Sequence, residues 1–139
     1  MAKQGKIRVI KPCRRLEGEV TPPGDKSISH RAVILNSIAS GEAEIGNFSS
    51  GKDCWSTVSC LRALGAEIRR SGTPDFPTLL ISGVGEKGLT EPSNVLNAGN
   101  SATTMRLLGG LLSSQPFLSI ITGDASLRSR PMGRLIEPL

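Results

Sequence analysis

The sequence predicts an α/β fold in which short strands alternate with short amphipathic helices. Two segments bounded by glycine have apolar residues at helical spacing, and runs of β-branched and apolar residues lie between them. The predicted order is strand, helix, strand, helix, strand, strand, and it begins again after a connection rich in glycine and proline at 83–93. We therefore predict a structural repeat of about 70 residues, with an incomplete second copy.

The first predicted helix covers 27–40. Gly41 follows it and is a candidate helix stop, because glycine readily adopts the conformation that ends a helix. Apolar residues three or four positions apart fall on one side of such a helix and are expected to face the core. These residues are Ile28, Ala32, Leu35 and Ala39.

The second predicted helix covers about 53–64. Asp53 is a candidate N-cap, and Gly65 is placed to end the helix. Its expected buried stripe consists of Cys54, Val58 and Leu61. Both predicted helices are therefore short surface helices with one buried face.

The predicted strands of the first copy cover 16–20, 43–48, 66–70 and 78–82. In the second copy, strands at 95–97 and 117–122 flank a helix at about 101–113. A last helix is predicted to begin at Pro131, because proline is favoured in the first helical turn. Since the chain ends inside that predicted helix, we expect it to be part of a longer protein.

Composition limits the possible classes of function. The 139 residues suffice for one compact domain or a piece of a larger one, and a net charge of +5 suggests an anionic partner. No apolar run reaches the roughly 20 residues that cross a bilayer, and no secretory signal is recognisable, so we expect a cytoplasmic protein. Three cysteines without metal-ligand spacing and a single histidine, His30, predict free thiols, a structural imidazole and no metal site.

The first segment with chemical potential is 23–32, PGDKSISHRA, a tight turn that leads into a helix. Ser27 and Arg31 are four residues apart and share a helix face. Lys26 lies at the helix start, where free amides and the helix dipole favour an anion such as phosphate or carboxylate. The competing interpretation is that Asp25 or Ser27 merely caps the helix and that the cations are solvated.

The second segment is 96–106, LNAGNSATTMR, again a glycine-containing turn before a helix. Asn100 or Ser101 could cap the helix, and Thr103 offers a hydroxyl near the exposed amides. Small side chains such as that of Ala102 let a ligand approach the backbone. The competing interpretation is close helix packing with ordinary capping.

The third segment is 123–131, GDASLRSRP, which carries Arg128 and Arg130 at the entry to the last predicted helix. Guanidinium groups bind carboxylates and phosphates with paired hydrogen bonds, although a plain basic loop would have the same composition. Three such turns can converge on one anionic site. No segment resembles a nucleotide-binding loop, a dinucleotide fingerprint or a catalytic Ser-His-Asp set.

These three segments resemble the signatures of the 5-enolpyruvylshikimate-3-phosphate synthase family. Residues 24–31 (GDKSISHR) are similar to its first signature, 99–106 (GNSATTMR) to its second and 128–133 (RSRPMG) to its third, in the same order. The resemblance implies two domains, each an inside-out α/β barrel of three βαβαββ repeats, with the active site in the cleft between them. Residues 1–22 would be a strand and crossover belonging to the other domain. Residues 23–139 would be part of the first domain, here truncated to one full repeat at about 23–90 and an incomplete one at about 91–139.

The reaction that the resemblance implies transfers the enolpyruvyl group of phosphoenolpyruvate to the 5-hydroxyl of shikimate 3-phosphate, with release of phosphate. It belongs to the shikimate pathway of aromatic amino acid biosynthesis and requires no metal or organic cofactor. Its partners would be these two small molecules, with no nucleic acid and no membrane, and the whole protein would be monomeric. Because reacting groups must be assembled on both sides of the cleft, the 139-residue chain is expected to be inactive alone.

The resemblance also assigns roles by matched position. Lys26 would be catalytic and would contact both substrates, and Ser27 and Arg31 would hold shikimate 3-phosphate. Two phosphates and two carboxylates come together in such a site, so cationic side chains and helix N-termini are physically required. The residues matched to the phosphoenolpyruvate pocket are Lys26, Asn100, Ala102, Thr103 and Arg130.

Two alternatives remain open at this stage. The sister transferase that acts on UDP-N-acetylglucosamine shares the architecture, although the signature from Asp25 to Arg31 speaks against it. A non-catalytic module that binds anions or nucleic acid would explain the net charge of +5. With only 3% aromatic residues, however, such a module would have few platforms on which bases could stack.

Ala102 departs from the family pattern, which commonly has glycine there, beside the phosphoenolpyruvate pocket. The extra methyl group narrows the pocket, so we expect weaker binding of glyphosate, a longer competitor of phosphoenolpyruvate. In a full-length enzyme that carries this segment, Ala102→Gly should strengthen inhibition by glyphosate while phosphoenolpyruvate is accepted by both forms. Inhibition constants that do not change on substitution would contradict this expectation.

Overall fold

The computed structural model describes residues 8–139, and of Glu86 the backbone alone. It has a mixed α/β fold, which confirms the predicted class. The helices are α1 (Lys26–Ile38), α2 (Lys52–Ala63), α3 (Ala102–Leu112), α4 (Ala125–Arg128) and α5 (Gly133–Ile136). The strands are β1 (Ser40–Ile45), β2 (Glu67–Gly72), β3 (Pro77–Val84), β4 (Leu96–Asn97) and β5 (Ile121–Thr122). A 3₁₀ turn at Gly85–Lys87 follows β3.

The strands form two sheets. In the larger sheet, β3 lies between β1 and β2 and is antiparallel to both. Ile81 of β3 is opposite Ala43 on one side and Ile68 on the other. In the smaller sheet, β4 and β5 are parallel, with Leu96 opposite Ile121, and α3 makes the connection between them.

The core lies between the larger sheet and the first two helices. Alternate residues of β3 are buried, Leu79 and Ile81 among them. Leu80, which lies between these two, is on the other face of the sheet and is exposed. Helix α2 contributes Cys54, Val58 and Leu61, all fully or almost fully buried. This is the stripe that the sequence predicts for α2. The α2 helix contacts α1, α3, β2 and β4, so it is the central element of the packing.

The ends of α2 are set by local chemistry. The N–H of Gly65 donates to the carbonyl of Arg62, and the N–H of Ala66 donates to that of Leu61, the paired bonds of a helix that ends in a left-handed residue. Gly65 has φ +95°, so the predicted helix stop is confirmed. The predicted N-cap is wrong: Gly51 precedes the helix, and Asp53 lies in its first turn.

The predicted buried face of α1 is wrong, because Ile28 and Leu35 are 61% and 60% exposed. The core side instead holds Val33 and Ile34 together with polar residues. Two of those polar side chains have interior partners, since Ser29 Oγ accepts from the N–H of Ser49 and His30 contacts Thr57. The buried residues of α1 are Ser29, His30, Val33, Ile34 and Ser37.

Differences also occur at the ends of the chain. Residues 8–25 pair with no strand, so the strand predicted at 16–20 does not form within the described residues; Leu16 and Val20 are 91% and 87% exposed. An extended segment becomes a strand only where a neighbour satisfies its backbone groups. The prediction that 1–22 belongs to another domain concerns in part residues 1–7, which lie outside the described range, and it stays a prediction.

The second copy differs from its prediction in detail. Only Ile121–Thr122 of the predicted strand at 117–122 is paired, and the last helix begins at Gly133 instead of Pro131. The short α4 was not predicted, because four residues are too few to show helical periodicity. No helix within the described residues has both the length and the apolar character needed to cross a membrane.

Candidate anion-binding site

Three helices begin at turns whose side chains cap the helix. In each case a side-chain oxygen accepts a hydrogen bond from a free backbone N–H of the first turn. Capping by Asp25 and Ser101 is therefore confirmed, with no part for Ser27 or Thr103, but Lys26 is not merely solvated, because its ammonium group pairs with Asp53. The cap bonds run from the N–H of Ile28 to Asp25 Oδ1 (2.7 Å), of Thr104 to Ser101 Oγ (3.1 Å) and of Leu127 to Asp124 Oδ1 (2.7 Å).

The turns before α3 and α4 lie against each other. The N–H of Ala98 donates to the carbonyl of Thr122, and the N–H of Asp124 donates to that of Gly99, both at 2.8 Å. Gly123 permits this close approach, because a Cβ there would lie 2.5 Å from the oxygen of Gly99. Both helix starts therefore lie at the carboxyl end of the parallel β4–β5 pair, where α/β folds commonly bind ligands.

Asn100 connects these two turns through its side chain. Its Nδ2 donates to Asp124 Oδ2 at 2.6 Å, and its Oδ1 accepts from Arg130 Nη2 at 2.9 Å. The bond from Asn100 is the main cause that lowers the pKa of Asp124, followed by the bond from the Leu127 amide. Arg130 is thus anchored by one of its five N–H groups within the described residues, which leaves donors for an anion.

Lys26 is connected to the start of α3 through Asp53. Lys26 Nζ pairs with the Asp53 carboxylate, and both side chains are partly exposed. The backbone carbonyl of Asp53 accepts from Thr104 Oγ1 at 3.2 Å. Sequence reasoning assigned Asp53 only a capping role. An acidic residue in a first helical turn fits that role equally well, so the pairing with Lys26 had no separate signal.

A buried series of polar side chains joins α1, α2 and α3, and we call it the polar chain (His30, Thr57, Thr104 and Ser101). His30 Nδ1 lies 2.7 Å from Thr57 Oγ1, Thr57 Oγ1 lies 2.7 Å from Thr104 Oγ1, and Thr104 Oγ1 lies 2.8 Å from Ser101 Oγ. All four residues are fully buried. Sequence reasoning missed Thr57 and Thr104; the only available signal was a polar residue on the core side of each helix.

The residues assigned by sequence, which we call the helix-start site (Lys26, Ser27, Arg31, Asn100, Ala102, Thr103 and Arg130), fall into two groups. Lys26, Ser27 and Arg31 lie on the exposed part of α1. The others lie at the start of α3 or just after α4. The structure brings Asn100 and Arg130 into direct contact, and it connects Lys26 to α3 through Asp53. It forms no hydrogen bond from Ser27 or Arg31 to another member within residues 8–139.

The chemistry available here is anion binding. Three cationic side chains accompany the free amides of helix starts, the combination that phosphates and carboxylates require. The three cysteines are free thiols, as predicted, and burial raises the pKa of Cys60 to about 11, so it is a poor nucleophile. No group of three or more His, Cys, Asp or Glu residues in the described range could hold a metal ion.

Comparison with known proteins identifies relatives over nearly the whole chain. The model of the family EPSP synthase (3-phosphoshikimate 1-carboxyvinyltransferase) matches residues 10–139. A 3-phosphoshikimate 1-carboxyvinyltransferase from Desulforudis audaxviator is 58% identical over 130 residues, covering 94% of this chain and 30% of the relative. The corresponding protein from Herpetosiphon aurantiacus is 53% identical over 132 residues, covering 95% of this chain and 30% of the relative.

A solved structure agrees with these sequence relatives. EPSP synthase from Acinetobacter baumannii superposes with a TM-score of 0.79 at 45% identity, covering 88% of this chain and 27% of that protein. The resemblance noted from the three signatures is therefore confirmed. The chain spans about 30% of the length of the curated relatives that it matches.

Stability should depend on pH through His30. Burial lowers the pKa of His30 from its ordinary 6.5, and the nearby Lys26 lowers it further, while Asp53 acts in the opposite direction. Below pH 6.5 the unfolded chain therefore takes up a proton that the folded chain does not. The free energy of unfolding should fall from pH 7.5 to 5.5, by at most about 1.4 kcal/mol per pH unit.

Urea unfolding followed by circular dichroism at three pH values measures this dependence. The sequence has one histidine, so a His30→Gln variant should lose the slope in this window. A midpoint that is constant or rises as the pH falls would contradict a buried neutral imidazole.

Proposed function

Because the chain belongs to the EPSP synthase family, we propose that it supplies part of a site that transfers the enolpyruvyl group of phosphoenolpyruvate to shikimate 3-phosphate. The observation that carries this proposal is that Asp53 connects Lys26 at the start of α1 with α3, while Asn100 holds Arg130 beside the start of α3. Two anionic substrates must be held side by side for the transfer, and two adjacent cationic helix starts suit that need.

The α1 side of the site is proposed to bind shikimate 3-phosphate. Ser27 and Arg31 are exposed and one helical turn apart, so a hydroxyl and a guanidinium face the same direction. Within the described residues Arg31 has no carboxylate partner that an incoming phosphate would have to displace. Arg31 is therefore the best candidate for the phosphate group of this substrate.

The α3 side is proposed to bind phosphoenolpyruvate. Asn100 fixes one edge of the Arg130 guanidinium, which leaves the other N–H groups for a carboxylate or phosphate. Ala102 is the first residue of α3 and Thr103 the second, both partly buried, so a ligand here would lie against backbone amides. The anion thus meets fixed donors that need no rearrangement.

Lys26 is proposed to act between the two substrates. It is the first residue of α1, and its ammonium group already lies beside Asp53, whose carbonyl contacts the start of α3. From this position an ammonium group can stabilise the negative charge of the tetrahedral intermediate or take part in proton transfer. The remaining groups for catalysis would come from the part of the relatives that this chain does not span, so the chain alone should bind substrate without turnover.

The proposal predicts selective binding of shikimate 3-phosphate by the chain. In isothermal titration calorimetry, shikimate 3-phosphate should bind more tightly than inorganic phosphate or UDP-N-acetylglucosamine. Arg31→Gln should weaken binding roughly 10- to 100-fold, the value of one hydrogen-bonded charge. Arg69→Gln is the matched control, because Arg69 is an exposed arginine of β2 whose nearest acidic partner is Glu67 at 3.8 Å.

The other outcomes distinguish the alternatives. Equal binding of all three ligands, with equal losses in both arginine variants, would indicate a general anion-binding module. Preferential binding of UDP-N-acetylglucosamine would indicate the sister transferase. Either result would overturn the proposal.

A further inference from the structure

We propose that the polar chain is a positioning element for the helix-start site, directed from an Nδ1–H group of His30 to the N-terminal turn of α3. Thr57 of α2 is its central residue. The proposal rests on the proposed function, because it concerns how the two halves of that substrate site are held in register. It assigns a role to four buried residues that contribute no side chain to the site itself.

The direction of hydrogen-bond donation along the polar chain follows from counting protons. Each hydroxyl has one proton, and the carbonyl oxygen of Asp53 can only accept. Thr104 Oγ1 donates its one proton to Ser101 Oγ (2.8 Å) or to the carbonyl of Asp53 (3.2 Å), and in both cases its oxygen is available to accept from Thr57 at 2.7 Å. The Thr57 oxygen then accepts from His30 Nδ1, which must carry the proton of the neutral ring.

The opposite direction is less favourable because of His30 Nε2. This atom is buried and has no hydrogen-bond partner within the described residues. Were Thr57 to donate to Nδ1, the ring proton would lie on Nε2 and would be a buried donor without an acceptor. Unpaired buried N–H groups are rarer and more costly than unpaired acceptor atoms. The structure therefore favours the tautomer with its proton on Nδ1.

The two ends of the polar chain are next in sequence to residues of the two halves of the helix-start site. His30 is one helical turn after Lys26 and precedes Arg31 on α1. At the other end, Ser101 caps α3 and precedes Ala102 and Thr103. The hydroxyl of Thr57 joins His30 on α1 to Thr104 on α3, and Thr104 in turn reaches Ser101. Because every bond is short and shielded from water, rotation of either helix would break a buried hydrogen bond.

The test compares Thr57→Val, which replaces the hydroxyl by a methyl group, with Thr57→Ser, which retains it. Ser37→Ala is the matched control, because Ser37 Oγ is a buried hydroxyl, on α1, that has no partner in the described structure. Nitrogen NMR of the single imidazole reports its tautomer, and calorimetry reports the affinity for shikimate 3-phosphate. The wild type should show the Nδ1–H form. Thr57→Val should lose that fixed tautomer and bind roughly tenfold more weakly, while Thr57→Ser and Ser37→Ala should behave as the wild type.

Failure of this inference is distinguishable from failure of the proposed function. An Nε2–H tautomer in the wild type overturns the polar chain without the need for any variant that folds. Unchanged affinity in Thr57→Val overturns its positioning role even where the tautomer is as expected. Absence of shikimate 3-phosphate binding by the wild type overturns the proposed function, and with it the positioning role. The tautomer of His30 still decides the direction of the hydrogen bonds in the polar chain.

Discussion

The burial of α2 is the constraint on which the rest of the structure depends. This helix packs against α1, α3 and two strands, so a polar side chain on any of its inner faces must find a partner inside the protein. Thr57 is fully buried and contacts His30 on one side and Thr104 on the other. One hydroxyl thereby fixes two helices relative to a third. A purely apolar contact at this position would allow sliding that directional hydrogen bonds oppose.

The same packing creates the chemistry at the surface. Helices α3 and α4 begin at the carboxyl end of the parallel β4–β5 pair, and the turns before them are joined by backbone hydrogen bonds. Asp53 and Asn100 then act as connectors, each contacting one cationic side chain and one neighbouring helix start. Lys26 is held by a carboxylate and Arg130 by an amide oxygen. An anionic substrate would complete the charge balance of such a surface.

The sequence was informative where the cause of a feature is local. The stripe of α2 and its end at Gly65 follow from spacing and from one backbone conformation, and both were predicted. The buried face of α1 was not, because Ile28 and Leu35 lie on one stripe at helical spacing and Val33 and Ser37 lie on another, and only the position of the sheet selects between the two stripes. The strand expected at 16–20 depended on a partner that these residues do not meet.

The contacts of Asp53 and Thr57 join residues far apart in sequence, so no local pattern could indicate them. The candidate cations were nevertheless identifiable, because Lys26 and Arg130 lie beside turns that open helices and Arg31 follows Ser27 by one helical turn.

We propose above that the starts of α1 and α3 form one site. The most direct measurement is a titration of the isotope-labelled chain with shikimate 3-phosphate, followed by the backbone amide resonances of both helix starts. Because Asp53 connects Lys26 to Thr104, a ligand bound at the start of α1 should shift the amides of Ala102 and Thr103 together with those of Lys26 and Ser27, and all four should fit a single dissociation constant. Shifts confined to one helix start, or two different dissociation constants, would mean that the two starts are separate and would overturn the proposal of a single site.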